Sequence, residues 1–128
     1  MNITIRKVDK ADNKILAELI RNVFDEFNAP HQNTVYTDPT TDDLYTLFQK
    51  QRSVLWVAQS NNKILGCCGI YATEGLADDC AELAKFYLLN EVRGKGIGKQ
   101  LMFKCFNLQK KWVIVNYILK ACRSFRRQ

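Results

Sequence analysis

The residues with the most chemistry in them run from Arg93 to Lys99, Arg-Gly-Lys-Gly-Ile-Gly-Lys. Gly94, Gly96 and Gly98 let the backbone approach a ligand closely and turn its N–H groups inward. Behind them Ile97, Leu101, Met102, Cys105 and Phe106 fall at helical spacing, so a helix opens at about Gly96 or Gly98. The free amides and positive dipole end of that helix form an anion site. Arg93, Lys95 and Lys99 add charge at the same point, and the natural guest is a phosphate or pyrophosphate. Two familiar phosphate loops fit badly. A P-loop needs four residues between its glycine and Gly-Lys, then Ser or Thr; here three intervene and Gln100 follows. A dinucleotide fingerprint is G-x-G-x-x-G, and this chain has G-x-G-x-G.

The element that must carry the loop is the strand before it, Ala81 to Leu89. Its alternation puts Glu82, Ala84, Phe86 and Leu88 on one face and Leu83, Lys85 and Tyr87 on the other. The signature R-x-x-G-x-G, Arg93 to Gly98, follows this aromatic strand, with Y-L-L-N-E-V ahead and I-G-K-Q-L-M behind. In those residues the chain resembles the GNAT superfamily of acyl-CoA N-acyltransferases. The bland alternative is a glycine-rich turn entering a core helix.

The resemblance implies acetyl transfer from acetyl-CoA, as co-substrate, to the primary amine of a small molecule or peptide. It implies a cofactor site at Phe86, Tyr87, Leu88, Arg93, Gly94, Lys95, Gly96, Ile97, Gly98 and Lys99. The backbone N–H of Leu88 would face the thioester carbonyl. Glu82 is the candidate base for the amine proton, and apolar neighbours on its strand face would raise its pKa toward the useful range. The alternative for Glu82 is a solvated strand-end carboxylate. Glu74, Asp78 and Asp79, in the loop before the strand, are alternatives for attracting a cationic acceptor. Phe24, Phe27 and Tyr36 would border the acceptor, against plain packing as the other reading. The tyrosine that commonly reprotonates the thiolate in the family has no matching segment. A CoA-binding remnant without turnover is therefore the second reading.

The remaining elements support an α/β (α+β) fold. Asn2 to Val8 reads as a strand and Ala11 to Phe27 as a helix capped by Asp9 or Asp12. His31 to Pro39 is a polar loop, and His31 reads as a surface residue without an obvious partner. Thr40 or Thr41 caps a short helix through Gln49. Ser53 to Gln59 and Ile64 to Ala72 form a hairpin about Ser60-Asn61-Asn62-Lys63, because Asn tolerates left-handed backbone angles. The order β-α-α-β-β-β-α is that of a GNAT-like mixed, mainly antiparallel sheet flanked by helices, incomplete at the C-terminus. Residues 1–109 make the N-terminal and central part of that domain, and 110–128 an atypical basic tail.

Composition bounds the rest. The chain has 128 residues, 47% of them hydrophobic, enough for the core of one domain. No apolar run is long enough to span a bilayer, and the start lacks signal-peptide character. Five cysteines without metal-ligand spacing point to free thiols in a cytoplasmic setting and to no metal site. Cys67 and Cys68, adjacent in a strand, point to opposite faces of the core.

The net charge of +6 lies in the tail: Lys110, Lys111, Lys120, Arg123, Arg126 and Arg127, with no acid among them. The other 13 bases balance 13 acids. A nucleic-acid or anionic-membrane partner is the third reading, opposed by the lack of basic surface interleaved with aromatics. A typical family member continues past the helix with a strand, a helix and two more strands. Read from the third base of each codon, Lys111 onward yields a Gly forced after Trp112 and a Leu forced across Asn116-Tyr117. Both fit the family's fifth strand, and Lys110-Lys111 would be a run of adenines. Lys111 to Gln128 is thus expected as the out-of-frame tail of a truncated enzyme. Trp112 to Leu119 is apolar enough to pair as a strand in place of the missing fifth. Sheet surface left open favours a homodimer.

Overall fold

The computed structural model of the chain describes residues 2–77, 80–108, 111–115 and 118–122. Strand β1 (Thr4–Lys7) leads through a 3-10 turn into helix α1 (Asn13–Glu26). A second 3-10 turn (Pro39–Asp43) and the short helix α2 (Leu44–Leu47) follow. Then come β2 (Val54–Ser60), β3 (Lys63–Tyr71), β4 (Cys80–Leu88), helix α3 (Ile97–Leu108), β5 (Lys111–Val115) and β6 (Ile118–Cys122). The strands form one sheet in the order β1-β2-β3-β4-β6-β5, and every neighbouring pair is antiparallel. This is the expected β-α-α-β-β-β-α order with a further hairpin.

Alternation along β2 and β3 feeds two cores, one on each face of the sheet. On one face Leu55, Val57 and Cys67 pack against Leu16 and Ile20 of α1 and Leu44 of α2. On the other Ala58, Cys68 and Ile70 pack against Ile97, Leu101 and Cys105 of α3. Cys67 and Cys68 do point to opposite faces, and both are free and buried, as is Cys105. Cys80, expected as a free thiol, is disulfide-bonded. Burial pushes the Cys67 thiol up to about 12, which leaves it unreactive at neutral pH.

The hairpin turn falls where the asparagines place it: Asn61 and Asn62 take φ of 50° and 65°, and Ser60 pairs with Lys63. The caps differ in part from expectation. Asp9 caps the first 3-10 turn in a reciprocal box with Asp12. Asp38 and Asp43, not Thr40 or Thr41, cap the second turn and α2. Thr41 is buried and donates to the Val35 carbonyl at 2.6 Å.

In the tail, two strands form where one was expected. It is β6 that lies beside β4, pairing Cys80 with Cys122, Ala81 with Ala121 and Glu82 with Lys120. Among the described residues, the outer edge of β4 from Leu83 onward has no strand partner.

Candidate active site

The site is organised by a break in β4. Cys67 pairs with Tyr87 and Gly69 with Ala84, so Lys85 and Phe86 together face Cys68. This is a β-bulge, with Lys85 in the left-handed region at φ 56°. The bulge leaves the Lys85 carbonyl out of the ladder, where the Cys67 thiol donates to it at 3.2 Å.

It also corrects the expected faces of the strand. Glu82 and Ala84 lie on the same face as Tyr87, toward α1 and α2, while Phe86 and Leu88 turn toward α3. Phe86 is therefore not an apolar neighbour of Glu82. The extra residue shifts the period of two by one step.

Beyond the bulge, Leu89 N–H donates to Leu65 O at 2.9 Å. Amide directions alternate along an antiparallel strand, so the N–H of Leu88 points away from β3, over the open edge. The chain then makes a 3-10 turn (Asn90–Val92) and reaches the glycine loop. Gly94 and Gly96 take φ of 78° and 84°, angles that cost a side-chain-bearing residue free energy. A Cβ at Gly98 would lie 3.1 Å from both Leu88 Cδ1 and Phe86 Cζ, so the start of α3 sits directly on the strand.

The N–H groups of Gly94, Lys95, Gly96, Ile97, Gly98 and Lys99 donate to no acceptor among the described residues. Gln100 is the first to bond, to Gly96 O at 3.1 Å. Six consecutive open amides at a helix start fit a diphosphate. The amides of Val92 and Arg93 do not join them, since they close the 3-10 turn onto Leu89 O and Asn90 O.

Arg93 is also placed differently from a loose phosphate ligand. Its guanidinium forms a fork with Glu26 at 2.6 and 2.9 Å and donates to Leu88 O at 2.9 Å. It stacks over Phe27, 5.0 Å from the ring centroid. The arginine ties the end of α1 to the end of β4. Phe27, Phe86, Tyr87, Leu88 and Arg93 line a hollow of about 220 Å³ with Val23.

A second hollow, about 470 Å³, opens on the other side of Tyr87. Glu82 lies in it, with Oε2 accepting from the Thr73 hydroxyl at 2.7 Å. Phe48, Tyr71 and Tyr87 provide apolar walls, and Asp38, Thr40 and Lys85 complete the polar lining. Burial holds the Tyr87 phenol above its ordinary pKa. Asp38 accepts from both the amide and the hydroxyl of Thr40 at 2.9 Å. Those two bonds hold its carboxyl below the usual range, with a smaller contribution from the charge of Lys85.

Phe24 and Tyr36 line neither hollow; they pack on each other at 6.1 Å, and Phe24 lies 6.4 Å from Tyr87. His31 does have partners, stacking on Tyr36 at 3.5 Å and meeting Asp25 at 2.8 Å. Asp78 and Asp79 lie outside the described residues. Reading the letters missed Lys85, Asp38, Tyr71 and Thr73 as lining residues. Of these only Asp38 carried a signal, as an N-cap residue directly before Pro39. Among the described residues no cluster suits a metal ion, and no helix is long and apolar enough to cross a membrane.

The site thus joins a strand that ends in an amide-lined loop to a carboxylate-bearing hollow beside it. The model of the acetyltransferase (GNAT) family matches residues 20–124, and the chain belongs to that family. It is 32% identical over 98 residues to the uncharacterised N-acetyltransferase YjgM of Escherichia coli K12. That match takes in 76% of this chain and 59% of the relative, so the chain spans about three fifths of the relative's length.

Among solved structures it resembles a GNAT-family acetyltransferase from Staphylococcus aureus Mu50, with a TM-score of 0.72 at 21% identity. The overlay covers 84% of this chain and 65% of that one. An acetyltransferase from Clostridium acetobutylicum, solved with acetyl-CoA, gives a TM-score of 0.63 at 20% identity over 83% of this chain and 72% of the other.

Proposed function

We propose that the chain is an N-acetyltransferase that uses acetyl-CoA and acetylates a primary amine. The observation that carries this reading is the row of open amides from Gly94 to Lys99 at the start of α3. Lys95 and Lys99 supply counter-charge there, while Arg93 holds the loop to α1. When bound, acetyl-CoA supplies a thioester whose C–S bond breaks as the acceptor's C–N bond forms. The Leu88 N–H, directed over the open edge of β4, would donate to the thioester carbonyl. Glu82, steadied by Thr73, takes the proton that the ammonium must lose before its nitrogen can attack. The proton shed after attack leaves with the thiolate, as CoA thiol.

The test has two parts. Calorimetry should detect acetyl-CoA binding, and thiol release should follow addition of an amine from a panel. Glu82→Gln is expected to lower kcat by about 100-fold, within the usual range for a general base. Acetyl-CoA affinity should stay within about threefold, since the loop amides are untouched. Binding without release from any amine would support a remnant that holds CoA but does not turn over. No binding at millimolar acetyl-CoA would sink the reading.

A further inference from the structure

We infer that the acceptor carries an anionic group beside its reacting amine, a carboxylate in the first instance, and that Lys85 holds it. The inference rests on the function proposed above and names the substrate class that the Glu82 hollow selects. Among the polar groups lining the hollow, Glu82 and Lys85 carry opposite charges and have open hydrogen-bonding capacity. Glu82 commits Oε2 to Thr73, and no described residue bonds its other oxygen. The Lys85 side chain has no hydrogen bond or ion pair among the described residues. Asp38 makes no ion pair with it and acts on it only at longer range, while its Oδ1 accepts from Thr40.

A lysine turned by strained backbone into a hollow, its side chain without a hydrogen bond or ion pair, requires explanation. In an unbroken strand Lys85 would point toward α3, alternate to Ala84. At φ 56° the bulge turns it instead into the hollow that already holds Glu82 and Ala84. Strain of this kind persists where the surrounding structure enforces it, and it concentrates at functional sites. A purely cationic acceptor would meet Lys85 as a like charge. An amino-acid-like molecule places its amine at Glu82 and its carboxylate at Lys85, with its side chain against the apolar wall made by Phe48 and Tyr71. Those two rings stand edge to face at 5.6 Å.

The experiment uses the full chain and matched acceptors that differ by one carboxylate. Phenylalanine is set against phenethylamine, and leucine against isoamylamine. Acetyl-CoA binding is first measured by calorimetry, and kcat/KM is then taken from thiol release. The wild type is expected to prefer the carboxylate-bearing member of each pair by roughly tenfold or more. Lys85→Met should abolish that preference, raising KM for the carboxylate-bearing members and easing use of the plain amines as the like charge goes, and Lys85→Arg should restore it. A merely structural role would instead move both members together.

Equal use of both members by the wild type overturns the inference. So does acetylation of the plain amines alone, or of neither set, by a chain that binds acetyl-CoA. A chain that does not bind acetyl-CoA fails at the earlier step, and the proposed function falls with the inference.

Discussion

Gly96 shows how much of this site depends on backbone angle instead of side-chain contact. A Cβ there would meet nothing within 4 Å, so an alanine has ample room. Its φ of 84° is nonetheless one that an L side chain adopts at a cost of about 1–2 kcal/mol. The loop would relieve that cost by rotating toward negative φ, which turns the amides of Gly96 and Ile97 away from a common centre. Gly96→Ala is therefore expected to weaken acetyl-CoA binding by about tenfold, 1.4 kcal/mol being a factor of ten. Calorimetry on the variant reads this directly, and thermal melting should show only a small loss. Unchanged affinity would mean that the amides do not hold the diphosphate.

At the level of elements, the Arg6–Asp12 pair joins β1 to the start of α1. Arg6 donates to Asp12 at 2.8 and 3.0 Å, and the Asp9 amide adds a bond at 2.7 Å. Burial raises the pKa of Asp12, but the guanidinium and that amide together outweigh it and leave the carboxyl below 3.8. A depressed carboxylate pKa stabilises the fold above the unfolded value, and the contribution drains away as pH falls through the folded one. Asp12→Asn should cost about 1–2 kcal/mol at pH 7. The gap to wild type in urea midpoint should narrow below about pH 4. A gap that widened on acidification would reverse the assigned sign.

The same scale separates what the letters could give from what they could not. The glycine loop, the Asn61-Asn62 turn and the stripe of α1 follow from local rules of backbone angle and period. The bulge in β4 does not, because Lys85 takes a positive φ without a glycine to mark it. Its consequence was a wrong face for Phe86 relative to Glu82. The fork between Arg93 and Glu26 joins residues 67 apart, a distance over which sequence spacing carries no signal.

Over the whole molecule, the loop and the Glu82 hollow draw on opposite ends of β4, and among the described residues β6 pairs with the Glu82 end. Strand β6 covers Cys80 to Glu82, while the loop follows Leu88 and the start of α3 packs on Phe86 and Leu88. Deleting residues 110–128 should leave acetyl-CoA affinity within about threefold, because none of the loop amides depends on β6. Turnover should fall by more than that, since the backbone carrying Glu82 loses its outer neighbour. The melting midpoint should drop as well, since the strand pairing along β4 is lost. The bared edge of β4 should also make the shortened chain self-associate with rising concentration, as unpaired strand edges do. Loss of acetyl-CoA binding with an unchanged melting curve would instead put the hairpin at the cofactor and break the separation between the two ends of the strand.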